Sequence, residues 1–80
     1  MIEVTAKYFA AFRERAGCEQ ERVSTGSRTA AELFAEVAER HGFRDRAERC
    51  KVAINGSMAA WEAVLADRDE VLFFPPVAGG

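Results

Sequence analysis

Residues 29–43, TAAELFAEVAERHGF, contain the most clearly defined element of this 80-residue sequence. Thr29 and Glu32 form a T-x-x-E pattern, which is typical of a helix N-terminus because each side chain can accept a hydrogen bond from a free backbone amide. Apolar residues then recur at helical spacing, and Gly42 follows the last of them, as is typical of a helix end. The pattern predicts a helix over residues 30–41 with one apolar face.

The segments before this helix predict two strands. Residues 2–9 alternate between apolar and polar side chains, which indicates a strand with one face in the core. A weaker strand is predicted over residues 19–24. The polar segment 13–17 lies between them and ends in glycine, so we expect a loop there.

The sequence after the helix predicts three more extended segments. A short strand around residues 52–54 runs into Asn55-Gly56, which is a strong turn signal. Residues 58–65 are predicted to form a short strand and a connecting turn that packs on the core. Residues 71–74, VLFF, are typical of a central strand, and Pro75-Pro76 end it because proline has no amide hydrogen to donate.

The order of these elements predicts the fold class. One helix can cover only one face of the sheet, so we expect the opposite face to stay partly open. This is an α+β roll of the β-grasp (ubiquitin-like) type, with a four- to five-stranded mixed sheet and one main helix. Residues 1–80 are predicted to form a single domain with a flexible C-terminal tail at residues 75–80.

Composition narrows the classes of function. The chain is 49% hydrophobic and 30% charged, as in globular proteins, and 11 Lys and Arg against 13 Asp and Glu give a net charge of -2. No basic block is present, which argues against nucleic-acid binding. No apolar run approaches the roughly 20 residues that span a bilayer, and the N-terminus lacks a signal-peptide core. We therefore expect a cytoplasmic protein that binds no membrane.

The cysteines and the single histidine supply little material for chemistry. Cys18 and Cys50 have no metal-binding spacing, and free thiols in a reducing compartment are expected. His41 falls at the predicted helix end, where an interaction with the helix dipole explains it better than catalysis. We expect no metal, no bound cofactor and no complete set of acid, base and nucleophile for an enzyme working alone.

The chemical feature of the sequence is its end, residues 75–80, PPVAGG. The prolines favour an extended path, and six extended residues reach roughly 20 Å. Gly79 and Gly80 carry no Cβ, so a terminal carboxyl group there is open to attack. Adenylation followed by attack of a sulfur donor would give a thiocarboxylate, which is a soft nucleophile. The alternative is an ordinary frayed terminus.

Residues 69–80, DEVLFFPPVAGG, resemble the D-E-V-x-F-F-P-P-V-x-G-G ending of molybdopterin synthase small subunits, the MoaD-type proteins of the MoaD/ThiS ubiquitin-like sulfur-carrier family. Looser matches are Arg13-Glu14 with Gly17, and the segment 53–55. Arg68 stands where these proteins usually have the glycine of a D-G-D-E turn, which leaves a different turn geometry open.

The resemblance implies a function and a set of site residues. A MoeB-type activating enzyme would use ATP to adenylate and then thiocarboxylate Gly80, with Gly79 as its required neighbour. The carrier would then dock on a MoaE-type large subunit and donate sulfur to cyclic pyranopterin monophosphate, and two such transfers build the molybdopterin dithiolene. The implied partner-binding residues are Leu72, Phe73, Phe74, Pro75, Pro76, Val77 and Ala78.

Three points stay open at the level of sequence. Strand alternation pairs Leu72 with Phe74 and Val71 with Phe73, but it does not tell which pair faces the partner. A sulfur carrier for thiamine thiazole synthesis or tRNA thiolation has the same chemistry with another destination. A ubiquitin-like protein modifier, or a plain interaction domain, is the alternative from another class.

Overall fold

In the computed structural model, which describes residues 1–76, five strands form one mixed sheet in the order β2-β1-β5-β3-β4. Strands β1 and β5 are parallel, and the other neighbouring pairs are antiparallel. The elements are β1 (Ile2–Tyr8), α1 (Ala11–Ala16), β2 (Gln20–Thr25), α2 (Ala30–His41), a 3-10 turn (Ala47–Arg49), β3 (Lys51–Ile54), β4 (Ser57–Ala59) and β5 (Glu70–Phe74). The predicted β-grasp architecture with one main helix is confirmed.

The main helix α2 has the predicted bounds and the predicted caps. The Thr29 hydroxyl accepts a hydrogen bond from the Glu32 amide at 3.2 Å. The Glu32 carboxylate accepts one from the amide of Arg28 at 2.7 Å, one residue earlier than in the usual capping box. Gly42 has φ 76° and its amide donates to the carbonyl of Ala38, so the helix ends in a left-handed glycine.

The segment between β4 and β5 closes the start of α2. The amide of Ala30 donates to the carbonyl of Ala63 at 3.0 Å, and the amide of Ala31 donates to that of Trp61 at 2.9 Å. These are amides that a helix cannot satisfy internally. The predicted strand and turn over residues 58–65 is therefore a short strand followed by a capping loop.

The core lies between α2 and one face of the sheet. Helix α2 buries four residues there, and strands β1, β2, β3 and β5 contribute alternate side chains. The ring of Phe12 stacks on that of Phe43 with centroids 4.4 Å apart, which closes one end of the core. The buried cluster comprises Val4, Ala6, Tyr8, Phe12, Val23, Ala30, Leu33, Phe34, Val37, Phe43, Cys50, Val52, Leu65, Val71 and Phe73.

The prediction of a loop over residues 13–17 was wrong, because this segment is part of helix α1. Phe12 is buried and Ala16 packs against the core one helical turn later, so the helix is held by two apolar contacts on one side. The amide of Gly17 donates to the carbonyl of Arg13 at 3.0 Å and ends the helix at φ 76°. The glycine that suggested a loop is a helix C-cap.

Candidate functional site

Strand β5 divides its side chains between the two faces of the sheet. Val71 and Phe73 have no exposed surface and belong to the core under α2. Leu72 and Phe74 point to the face that the helix does not cover and are half-buried. The structure thus resolves which pair is available to a partner: it is Leu72 and Phe74.

The predicted place of Phe73 among the partner-binding residues needs correction. Its ring lies 5.4 Å from the ring of Phe34, 6.2 Å from that of Trp61 and 6.4 Å from that of Tyr8, measured between centroids. Its relative exposure is 0%. The side chain cannot touch another protein while the domain stays folded, so Phe73 is a core residue.

Two rows of side chains on the open face surround Leu72 and Phe74. The register places Lys7, Leu72, Ala53 and Met58 in one row across four strands. In the next row, the ring of Phe9 lies 5.4 Å from that of Phe74. The apolar members form the open-face patch, which comprises Phe9, Ala53, Met58, Leu72 and Phe74.

Sequence reasoning missed three members of the open-face patch, which are Phe9, Ala53 and Met58. Phe9 is 54% exposed and Met58 is 63% exposed, which is unusual for large apolar side chains. A signal for Phe9 was present, since it continues the polar register of Thr5 and Lys7. A large aromatic residue on the polar side of a strand indicates a contact outside the domain.

The acidic turn before β5 locks the start of the strand. Asp69 accepts hydrogen bonds from the side-chain amide of Asn55 at 2.9 Å and from the backbone amide of Ala66 at 2.8 Å. Asp67 accepts one from the amide of Glu3 at 2.8 Å. Arg68 has φ 72°, so it adopts the left-handed conformation that favours the glycine of the D-G-D-E motif. Arg68 thus keeps the turn geometry that glycine would give, and the different geometry that the sequence left open is not observed.

The tail begins beside the open-face patch. Pro75 and Pro76 follow Phe74 directly and are partly exposed. Val77, Ala78, Gly79 and Gly80 lie outside the described residues, so their predicted roles and the flexibility predicted for the tail stay predictions.

A polar cluster joins β1, β2 and α2 on the helix side of the sheet. The Tyr8 hydroxyl donates to Glu21 Oε2 at 2.5 Å, and His41 Nε2 lies 2.5 Å from the same oxygen. Burial raises the pKa of Tyr8, and its hydrogen bond to Glu21 adds to this. Burial also acts to raise the pKa of Glu21, but the hydrogen bonds from Tyr8 and His41 and the nearby charges of His41 and Arg40 outweigh it and lower that pKa.

Neither thiol is activated by its surroundings. Both Cys18 and Cys50 are free cysteines. Burial, helped by the charge of Asp45, raises the pKa of Cys50 to about 11. Burial and the charge of Glu21 raise the pKa of Cys18. A raised pKa reduces the thiolate fraction at neutral pH, which is the opposite of what a reactive thiol needs.

Residues 1–76 hold neither a group of metal ligands nor a membrane-spanning helix. Within that range, no three His, Cys, Asp or Glu side chains are grouped so that they could hold a metal ion. None of the helices described there has the length and apolar character needed to cross a bilayer.

Comparison with known proteins places these features in a family. Residues 6–80 match the model of the ThiS family. The molybdopterin synthase sulfur carrier subunit of Mycobacterium tuberculosis is 36% identical over 85 residues, which cover all of this chain and all of that protein.

Two solved structures have the same fold. SAMP1, the small archaeal modifier protein 1, from Haloferax volcanii is 28% identical with a TM-score of 0.79, covering 98% of this chain and 99% of that chain. A chain in the complex of subunits 1 and 2 of the molybdopterin-converting factor from Helicobacter pylori is 25% identical with a TM-score of 0.67, covering 99% and 100%. The family match extends over nearly the whole sequence, and the chain therefore belongs to the ThiS family of MoaD/ThiS-type ubiquitin-like sulfur carriers.

Proposed function

We propose that this chain is the small subunit of a molybdopterin synthase, in which the carboxyl group of Gly80 carries sulfur as a thiocarboxylate. The observation that carries the proposal is the open-face patch at the end of β5, from which the tail leaves. The full-length similarity to a molybdopterin synthase sulfur carrier subunit supports molybdopterin as the product that receives the sulfur. The proposal places the chain in the cytoplasm, where free thiols stay reduced.

The first step is activation of the terminal carboxylate. A carboxylate oxygen of Gly80 attacks the α-phosphorus of ATP, and the bond to pyrophosphate breaks, which leaves an acyl-adenylate. Hydrosulfide, as the simplest sulfur donor, then attacks the acyl carbon; AMP leaves and a proton is released. A MoeB-type activating enzyme supplies the ATP site for this step.

The second step is transfer of the sulfur. The thiocarboxylate sulfur attacks an electrophilic carbon of cyclic pyranopterin monophosphate, held by a MoaE-type large subunit, and a carbon–oxygen bond at that carbon breaks, so that the oxygen leaves with the electron pair. Water then attacks the acyl carbon of the tail, so that the sulfur stays on the pterin and the carboxylate of Gly80 is restored. The carrier contributes a positioned nucleophile and no acid or base of its own.

Docking on the large subunit is assigned to the open-face patch. Phe9, Leu72 and Phe74 form an apolar surface next to Pro75, so a partner that covers them receives the tail at a fixed point. Buried aromatic anchors near the centre of an interface provide most of its binding energy. The complex of subunits 1 and 2 from Helicobacter pylori supports pairing of this fold with a second subunit.

Intact-mass analysis tests the carrier chemistry. The chain is incubated with its MoeB-type activating enzyme, ATP and sulfide, and we expect the mass change of one oxygen replaced by one sulfur. Deletion of Gly80, addition of one alanine after it, or Gly79→Val should each abolish the change. One added residue moves the carboxyl group by about 3.3 Å, which takes it out of reach of the α-phosphorus. Sulfur uptake by the extended chain would disprove the proposal.

A protein modifier is the second candidate function, and the structural similarity to SAMP1 favours it. The same acyl-adenylate would then be attacked by a lysine amine of another protein, giving an isopeptide bond and AMP. The two functions differ in what is found in cell extract: a free chain with a thiocarboxylate, or chains covalently attached to other proteins.

A further inference from the structure

The two ends of the sheet differ in charge. β1 and β5 run in parallel with Tyr8 opposite Phe73, so the segments that follow β1 lie at the end from which the tail leaves. Lys51 pairs with Phe74 and brings the segment before β3 to the same end. These segments carry six exposed cations, which we name the basic collar: Arg13, Arg15, Arg44, Arg46, Arg49 and Lys51.

Contacts within the domain hold the two halves of the basic collar together. Phe12 of α1 stacks on Phe43, which directly precedes Arg44. Nη1 of Arg15 donates to the carbonyl of Gly42 at 3.3 Å. The collar is thus a surface fixed by the fold, although its members are far apart in the sequence.

The cations of the basic collar are available to a partner. Over residues 1–76, the side-chain ion pairs involve Lys7, Arg40, His41 and Arg68, and no member of the collar. The same segments contain four carboxylates, Glu14, Glu19, Asp45 and Glu48, so cations are in excess there.

The opposite end of the sheet has the reverse balance. Arg22, in the same row of the sheet as Glu70, supplies a cationic side chain there together with Arg28 and Arg68. The carboxylates at that end are Glu3, Glu32, Glu62, Asp67, Asp69 and Glu70. A chain with a net charge of -2 therefore presents its tail from its basic end.

We propose that the basic collar steers the tail into an acidic partner surface, namely a cleft of the activating enzyme rimmed by carboxylates. This inference rests on the proposed function and concerns the partner that activates Gly80. That enzyme must bind the carrier, modify it and release it in every cycle. Charge complementarity suits such a partner, because it raises the association rate more than the lifetime of the complex.

Two other partners fit the collar less well. The large subunit must hold a substrate that carries a phosphate, for which cationic and not acidic side chains are suited. It is also already assigned to the open-face patch of the carrier, which is an apolar docking surface. Nucleic acid would meet four carboxylates interspersed among the six cations, which weakens the release of counterions on which such binding depends.

Salt-dependent kinetics test the inference. ATP–pyrophosphate exchange by the activating enzyme, with the carrier as the varied substrate, reports acyl-adenylate formation without a sulfur donor. The double variant Arg44→Glu/Arg46→Glu reverses two collar charges. Arg28→Glu/Arg68→Glu is the matched control, with the same change in net charge at the opposite end.

We expect the collar variant to lower kcat/KM by about tenfold or more at low ionic strength, and by much less at high salt, where charges are screened beyond a few ångströms. The control should stay within about twofold of the wild type. Circular dichroism checks that both variants are folded. Equal losses in the two variants, or no loss in the collar variant, would overturn the inference and leave the proposed function intact.

Two further outcomes are decisive. A wild-type chain that supports no exchange at all would overturn the proposed function together with the inference. Binding of duplex DNA that depends on Arg44 and Arg46, with unchanged exchange kinetics, would assign the collar to another partner.

Discussion

Phe73 and Phe74 are identical neighbours on one strand, yet they belong to different parts of the molecule. Phe73 is packed among the rings of Phe34, Trp61 and Tyr8 under helix α2. Phe74 lies on the open face beside Phe9. The position of α2 decides which of the two serves the fold and which is left for a partner, since successive side chains of a strand point to opposite faces.

The largest effect is expected from the buried member of this pair. Phe73→Ala removes a ring at the centre of the core and should lower the free energy of unfolding by about 3–5 kcal/mol. Small domains have only about 5–15 kcal/mol in total, so much of the variant should be unfolded at moderate temperature. Urea titration followed by circular dichroism measures the loss.

Phe74→Ala is the matched control for this prediction. Its ring is only partly buried and lies outside the core, so its loss should cost less, about 1–2 kcal/mol. Equal destabilisation by the two variants would contradict the division of β5 between core and interface.

The open-face member should give the opposite result. Phe74→Asp leaves the core untouched, so the domain should stay folded. Affinity for the MoaE-type large subunit should fall by at least about 2 kcal/mol, or roughly thirtyfold in Kd, because an unpaired carboxylate would be buried in an apolar interface. Isothermal titration calorimetry with the two purified proteins measures it.

Val64→Asp is a suitable control for Phe74→Asp. Val64 is 77% exposed and lies in the loop between β4 and β5, beside Thr29 at the start of α2 and away from the open-face patch. The same chemical change there should leave Kd unchanged. If the folded Phe74→Asp protein binds as tightly as the wild type, Phe74 does not belong to the interface.

Much of the fold was predictable because its signals are local. The caps at Thr29 and Gly42 fixed the bounds of α2, and Asn55-Gly56 marked the hairpin between β3 and β4. Helix α1 was missed for a tertiary reason. Its two apolar contacts become visible only when Phe43, some thirty residues later, supplies the ring on which Phe12 stacks.

The site was predictable in composition and less so in geometry. The motif pointed to residues 72–78, but it did not show that Phe73 is buried. The alternation of side chains along a strand does not tell which set faces the core until α2 is placed on one face of the sheet. Phe9, Ala53 and Met58 were missed because only the topology of the sheet brings β1 to one side of β5 and the β3–β4 hairpin to the other. The end of the tail lies outside the described residues.

Replacement of Glu21, at the edge of the sheet face that α2 covers, should have a smaller effect on the free energy of unfolding, and this effect should depend on pH. Glu21 bonds Tyr8 and His41, and its pKa is lowered. A carboxyl group with a lowered pKa stabilises the fold above its ordinary pKa of about 4.3 and loses this contribution as the pH falls through the folded value. We expect Glu21→Gln to cost about 1–2 kcal/mol at pH 7.

The difference between wild type and Glu21→Gln should shrink on acidification below about pH 4, where the native carboxylate becomes protonated. Urea titrations at several pH values measure it. Glu19→Gln provides a control, since that carboxylate is exposed. A difference that does not vary with pH would assign the loss at Glu21 to packing and not to charge.

The smallest effect is expected at Ala10, in the turn that joins β1 to α1. Ala10 follows Phe9 with φ 53° and ψ -122°, a conformation that favours glycine, and the amide of Phe12 donates to the carbonyl of Phe9 across this turn at 3.1 Å. Ala10→Gly relieves the strain but gives the unfolded chain more freedom, so we expect a net gain of about 1 kcal/mol in the free energy of unfolding. Arg68→Gly, in a milder left-handed conformation, should gain less. Urea titration ranks the two variants by their free energies of unfolding.

Binding to the large subunit tests whether this turn positions Phe9. If Ala10 holds Phe9 against Phe74, the Ala10→Gly protein should bind less tightly although it is more stable, whereas Arg68→Gly should bind as the wild type does. Tighter docking of Ala10→Gly would mean that the orientation of Phe9 does not depend on this strained turn.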